Sequence, residues 1–480
     1  MSDSATTPLS TSANGAYSTA TGRWSLVSLI MGGMVFSLID RQIIALLVEP
    51  IKADLNLTDT QFSILIGPAF VIAYLVFGFP FGLLADRIQR RHVIAFGITV
   101  WSAATVMCGM AWSFLSLAVA RAVVGAGEAS LMPSSMSILS GLFTRERLPF
   151  VTAIFSVSMH IGGASAMLVG GLILGIFGDT EFISIPLFGD VRPWQLAFIV
   201  VGLPGLLLAA VFMLIPEPPR SAATTGSLSP APEPEPEPTS ELMSDPSVER
   251  PVGPSLTQFL SNNAVTIGGQ YGAAALLTIS TYAFVSWSPA FLIRGYGLSS
   301  EEAALVLGII MLTCGPTGTI AGGALSGWLL KTKGRVDAPW LVMILSAAGS
   351  GLFGLFAFTV GVPVLAYLLL AMAIFMGSLY LGIIHAALQV ITPDHLRGRV
   401  AALMLIMMTG VGGATGPVIV ALLTDYLFGG PEMVGLSVAV VAMAVGVAVT
   451  ILLGLNLSAY RTSYHANEMA IQSAQDARKA

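Results

Sequence analysis

Long apolar runs alternate with short polar breaks along nearly the whole chain, near residues 24–48, 62–85, 92–112, 114–141, 150–177 and 196–215, then near 264–292, 303–330, 340–360, 363–391, 400–424 and 434–457. A helix needs about 20 mostly apolar residues to cross a hydrocarbon core of about 30 Å. The runs are long enough, so the pattern predicts twelve membrane-spanning helices, six on either side of a polar stretch at 216–263. That stretch carries Pro230-Ala-Pro-Glu-Pro-Glu-Pro-Glu-Pro238, a composition that favours extended, solvated chain and reads as a linker. A short amphipathic piece around Leu256, Phe259 and Leu260 ends it and is expected to lie along the membrane surface. The chain therefore divides into a tail at 1–23, a bundle at 24–215, the linker at 216–263, a bundle at 264–457 and a tail at 458–480.

The two sets of six share a register. Leu57-Thr-Asp-Thr-Gln61 precedes the second run and Leu298-Ser-Ser-Glu-Glu302 the eighth, 241 positions later, and each fits a capping box that opens an apolar helix. The same shift carries Gly67 onto Gly308 and Gly82 onto Gly323, and a shift of 250 carries Arg147 onto Arg397 and Gly162-Gly-Ala-Ser165 onto Gly412-Gly-Ala-Thr415. A repeat of six spans is the plan of an alternating-access carrier, in which two similar all-helical bundles related by a pseudo-two-fold axis rock around a site near the midplane.

Composition narrows the function class. The chain is 55% hydrophobic and 10% charged, against about 25% charged in ordinary soluble domains, so it cannot cover itself in water. Basic residues accumulate in cytoplasmic loops. With both termini in the cytoplasm, sixteen of the 21 Lys and Arg residues fall on that side and only Lys52, Arg192 and Arg294 outside, which points to a multi-pass protein of the cytoplasmic or plasma membrane. Cys108 and Cys314 both fall inside spans and suggest no disulfide. No Gly-rich nucleotide cradle, no metal-ligand spacing and no nucleophile with a paired base is recognisable, so neither an ATP-driven pump nor an enzyme is expected. Nor is any cofactor, metal or nucleic-acid contact, and the chain is expected to act as a monomer.

Four charged residues lie well inside spans: Asp40, Arg41, Arg121 and Glu128. An ionisable group in hydrocarbon costs at least about 2.5–3.5 kcal/mol, so it normally faces a cavity and has a partner. Residues 121 and 128 are seven apart, about 700° at roughly 100° per residue, and so share one face of the fourth span. Asp40 and Arg41 point about 100° apart, so each should meet a different partner, in a cluster joining spans one and four. Arg keeps its proton, whereas a carboxyl can bind and release one. Asp40 and Glu128 are therefore the candidate proton carriers, with Arg41 and Arg121 tuning them. The competing reading is a static network that ties the two spans together.

Gly82-Leu-Leu-Ala-Asp-Arg-Ile-Gln-Arg-Arg91, between spans two and three, resembles the loop signature of the major facilitator superfamily, with Gln89 where that pattern usually has Gly. Arg121-Ala-Val-Val-Gly125-Ala-Gly127-Glu128-Ala-Ser130 is similar to its span-four motif. Within the superfamily, Asp40-Arg41, Gly127-Glu-Ala-Ser130 and Trp287-Ser-Pro-Ala-Phe-Leu292 resemble the spinster-type transporters. An antiporter signature expected in span five is only half present, as Ala166-Met-Leu-Val-Gly-Gly171. The resemblance implies a transporter of a lipid-like solute, with membrane lipids as a further partner. Coupling to protons rests on the buried carboxyls alone, a sodium-coupled or uncoupled carrier being the alternative, and the half-present signature leaves the direction of coupling open. A carrier of organic anions or drugs is the rival within the superfamily, and a non-transporting receptor or scaffold the rival outside it.

Asp86, Arg87, Arg90 and Arg91, with Gly82, Arg145 and Arg147, read as a cytoplasmic gate, in which Asp86 pairs with Arg145 or Arg147 or caps a helix of the other half. Gly327 stands where Asp86 would map in the second half, so such a gate is one-sided. His160, Gln270, Tyr271, Tyr282, Tyr380 and His385 are further polar groups in spans and candidates to line the cavity.

Overall fold

The computed structural model describes residues 17, 19–144, 147–186, 188–218 and 254–479. The tail before residue 17, the Pro/Glu run at 230–238 and Arg145 lie outside the described residues.

The first half contains α1 (Ala20–Leu46), α2 (Asp59–Arg87), α3 (Arg90–Cys108), α4 (Phe114–Leu142), α5 (Leu148–Phe177) and α6 (Pro193–Leu214). The second contains α7 (Ala264–Tyr296), α8 (Ser300–Lys333), α9 (Ala338–Ala357), α10 (Pro363–Ser378, resuming at Ile384–Ile391), α11 (Arg397–Phe428) and α12 (Pro431–Leu455). Among the described residues eleven helices are long and apolar enough to span a membrane; α10 completes the twelve expected passes only by adding its second segment across a break.

Local chemistry sets several boundaries. Thr58 and Gln61 form a reciprocal capping box at the start of α2, and Ser299 and Glu302 form the matching one at α8, satisfying amide groups that a helix start leaves unpaired. α2 is broken at Gly67, and Pro68, which lacks an amide hydrogen, occupies the first position of its second segment. The linker ends in a short helix, Leu256–Asn262, with Phe259 buried, where the amphipathic piece was expected. A further helix, Leu457–Lys479, follows α12. The loop between α5 and α6 holds an antiparallel hairpin, β1 (Ile183–Ile185) and β2 (Gly189–Val191), paired Ile183 to Val191. Helical periodicity gave no sign of it.

The internal repeat extends to packing. α1 lies against α5 as α7 lies against α11, α2 against α4 as α8 against α10, and α3 against α6 as α9 against α12. The contacts between halves, α2 with α11, α5 with α8 and α1 with α7, exchange under the same six-helix shift, as a pseudo-two-fold axis requires. Residue register follows: Gly162 packs on Leu38 and Gly163 on Gln42, while Gly412 packs on Thr278 and Gly413 on Tyr282. α4 interrupts after Glu128 and α10 after Ser378, 250 positions later.

Candidate functional site

The charged cluster forms where α1, α2, α3 and α4 meet, and glycines set its geometry. A side chain at Gly125 would strike the carbonyl oxygen of Phe70, and one at Gly127 would come within 2.7 Å of the backbone nitrogen of Trp101. These two positions hold α4 in backbone contact with α2 and α3, and Glu128 beside them is left to face α1.

Glu128 Oε2 accepts hydrogen bonds from Arg41 Nη2 at 2.7 Å and Ser37 Oγ at 2.7 Å. The Glu128 carboxylate is wholly buried, whereas the Arg41 side chain keeps 18% of its surface exposed. Asp40 turns the other way, as the helical angle requires, and accepts from Thr105 Oγ1 of α3 at 3.1 Å. Arg121 donates to the backbone oxygen of Asp40 at 3.1 Å and to that of Leu65 at 3.4 Å, not to a carboxylate. Asp40 Oδ1 and Glu128 Oε1 are buried without a hydrogen-bond partner among the described residues.

Aromatic rings complete the cluster. The Arg41 guanidinium carbon lies 4.5 Å from the Phe70 ring centre and 5.2 Å from that of Tyr74, and the Arg121 carbon lies 5.2 Å from Phe70. Sequence reasoning found the four charges but not Ser37, Phe70, Tyr74 or Thr105. Nothing in an apolar run distinguishes a phenylalanine under a guanidinium from one facing lipid.

A second ionic cluster joins the halves at one end of the molecule. Arg294, at the end of α7, grips Asp59 with two bonds of 2.6 and 2.8 Å and Glu49 with one of 2.7 Å, and donates to Pro431 O at 3.0 Å. Lys52 also binds Asp59. Beside them the backbone nitrogen and hydroxyl of Thr60 donate to Asp425 Oδ2 at 2.8 and 2.7 Å. Trp287 ties α7 to α11 through a 2.9 Å bond to Pro417 O and meets Phe62 of α2 edge to face. The sequence offered Lys52 and Arg294 only as outward-facing charges and Asp59 only as part of a cap.

At the opposite end the loop signature works within the first half. Arg90 is buried and bonds to Glu217 Oε1 at 3.1 Å and Ser137 O at 3.1 Å, and also to Pro218 O. Glu217 caps α3, accepting from the backbone nitrogens of Arg90 and Arg91 at 3.1 and 3.2 Å. Asp86, Arg87 and Arg147 are exposed, and Gly82 has open space around it.

The remaining candidates divide. Gln270 is fully engaged inside the second half, accepting from Trp340 Nε1 at 2.6 Å and donating to Ile384 O at 2.9 Å. Tyr271 donates to Val400 O at 2.8 Å, and buried Tyr380 lies 3.2 Å from the Thr281 hydroxyl. Tyr282 is half-buried against Gly413, His160 reaches Thr319 of the other half at 3.3 Å, and His385 is exposed.

The family model of the Major Facilitator Superfamily matches residues 30–417. The chain belongs to this superfamily. It is a multi-pass integral membrane protein of a transporter family. An MFS-type efflux pump of Mycolicibacterium smegmatis is 27% identical over 410 residues, 84% of this chain and 85% of the pump. Protein spinster homolog 1 of Xenopus tropicalis is 25% identical over 423 residues, 81% of this chain and 70% of that protein. The fold matches the crystal structure of a bacterial homolog of the human lysosomal transporter Spinster in an inward-facing and occupied conformation, with a TM-score of 0.70, 22% identity and coverage of 92% of this chain and 97% of that one. The spinster-type resemblance drawn from the short motifs therefore extends over most of the sequence and the fold.

Proposed function

We propose that the chain is a proton-coupled secondary transporter that moves an amphipathic, lipid-like or hydrophobic organic solute by alternating access. The observation that carries this reading is the Arg41–Glu128 pair, with Asp40 one residue away on α1 and a carboxylate oxygen of each acid left without a partner among the described residues. A proton arriving on Glu128 neutralises the partner of Arg41, and the partly exposed guanidinium is then released toward solute or toward the other half. Asp40, on a different face of α1, serves as the second proton site, and Arg121 orients it through its backbone oxygen. The second half supplies an uncharged wall: Ser280 and Thr281 stand where the packing register puts Asp40 and Arg41.

With basic residues concentrated beside the termini, the termini face the cytoplasm and the Arg294 end is the outer one. Asp86, Arg87, Arg145 and Arg147 then close the inner end in the alternate state.

The test is transport into liposomes that contain a pH-sensitive dye, with lysophospholipids and small organic anions as solutes. Lysophospholipid is expected to move protons, and Asp40→Asn to abolish that flux. Uptake with an unchanged pH dependence in Asp40→Asn would remove the proton role. Flux with small anions alone would favour an organic-anion carrier, and flux with neither would sink the lipid reading. A second reading is a symporter or exporter of organic anions or drugs, and the likeness to an MFS-type efflux pump supports export as its direction.

A further inference from the structure

We infer that Phe70 is a positioning residue that passes the charge state of the Arg41–Glu128 pair to the second half of the molecule. This link rests on the proton reading above and adds a specific mechanical path to it.

Phe70 is 1% exposed and sits within reach of two guanidiniums, at 4.5 Å from Arg41 and 5.2 Å from Arg121. A cation over an aromatic face is attracted by the ring quadrupole, most strongly where water is excluded. The two arginines are differently held. Arg121 is fixed by the backbone oxygens of Asp40 and Leu65, while Arg41 is held by Glu128, whose charge a proton removes. Protonation therefore changes the balance of attraction on this one ring.

The ring has little freedom to respond alone. Its own backbone is pressed against α4, where the carbonyl of Phe70 occupies the space that a side chain at Gly125 would need. Three residues earlier α2 is interrupted at Gly67, with φ −97° and ψ −92°, followed by Pro68. The interruption itself abuts the other half: a side chain at Gly67 would come within 2.7 Å of the backbone oxygen of Ala414 and 3.3 Å of that of Gly413. A shift of Phe70 is thus carried into the α2 break, and from there into α11, along one continuous path of contacts. That break is where one half meets the other, so it is suited to turn a change of charge into a change of packing.

A ring that only fills space would be replaced without consequence by another apolar side chain, and this separates the two roles. The full-length protein is placed in lipid nanodiscs with its native cysteines removed, as Cys108→Ser and Cys314→Ser. Spin labels attached through Ala53→Cys and Glu432→Cys, at exposed positions in the first and second halves at the Arg294 end, report how far that end is open. In this parent protein, acidification is expected to shift the distance distribution. Glu49, Asp59 and Asp425 at the same end also titrate, so the part of the shift that Glu128→Gln removes is the part assigned to the Arg41–Glu128 pair. Phe70→Leu, which keeps an apolar side chain but removes the ring face, is expected to remove most of that shift. Phe70→Trp, which keeps a face, is expected to preserve it. A Phe70→Leu protein whose distribution responds to pH like the parent overturns the link while leaving the proton reading standing. A parent protein whose distribution ignores pH overturns both. Loss of the response in Phe70→Leu and Phe70→Trp alike assigns the ring to packing and overturns the link.

Discussion

At the scale of single residues, the Arg41–Glu128 pair combines a wholly buried carboxylate with a guanidinium that keeps some exposure. Removing one partner of a buried pair costs about 3–5 kcal/mol, because the other charge stays buried, whereas replacing both by apolar groups is often neutral. Arg41→Met and Glu128→Leu are each expected to lower thermal stability in detergent by that order, and the double variant to recover most of the loss. Additive losses in the cycle would mean that the two side chains do not act as a pair. The four charges were legible in the sequence because an ionisable residue in an apolar run is rare, and the seven-residue spacing of Arg121 and Glu128 placed both on one face. Their bonding was less so. Arg121 meets the backbone of Asp40 and not its carboxylate, and spacing along the chain does not say which atom of a neighbouring helix a guanidinium reaches.

At the scale of elements, the helix Leu457–Lys479 is fastened to the second half by polar contacts. Asp337, just before α9, accepts from Arg335 Nε at 2.8 Å and from Arg461 Nη2 at 2.6 Å. Thr266 meets Ser463 at 2.9 Å, Tyr460 donates to Ala387 O at 3.1 Å and Asn467 to Val390 O at 2.8 Å. Burial alone would push the Asp337 carboxyl up, but its bonds to Arg335 and Arg461 outweigh burial and hold it down at about 2. A depressed carboxylate contributes stability that is full above its unfolded pKa and is lost as pH falls through the folded one. Water around the two half-exposed guanidiniums screens the attraction, which leaves a contribution of about 1–2 kcal/mol. It should persist at neutral pH and disappear between about pH 4 and pH 2. Protection of the helix amides against hydrogen exchange, taken relative to the intrinsic rate at each pH, is expected to fall over that window, and Asp337→Asn to lower it already at pH 7. Exchange unchanged in Asp337→Asn would show that the other contacts suffice. The capping boxes at Thr58 and Ser299 were readable from local sequence because their partners are three residues apart. The docking of this helix was not, since Asp337 and Arg461 meet only once α9 and α12 have packed.

At the scale of the whole molecule, Arg294 carries the ionic contact between the halves at its end. It reaches Glu49 and Asp59 of the first half from the end of α7, and Asp59 is buried at 0% side-chain exposure. If that end opens in the alternate state, these bonds break, so their strength biases the equilibrium between states. A buried pair broken on one side costs about 3–5 kcal/mol, while moving a two-state equilibrium from 1:99 to 99:1 takes about 5.5 kcal/mol. Arg294→Ala should therefore favour the opened state by on the order of a hundredfold or more, lengthening the distance between labels at Ala53 and Glu432. Asp425→Asn, which weakens only the neighbouring contact with Thr60, should move it less. An unchanged distance in Arg294→Ala would mean that Trp287 and the packing of α2 on α11 hold this end closed without the ionic cluster. The twelve spans and their repeat follow from patterns along the chain, but this lock joins residues 235 and 245 positions apart, and no local pattern pairs a charge at one span's end with a charge at another's.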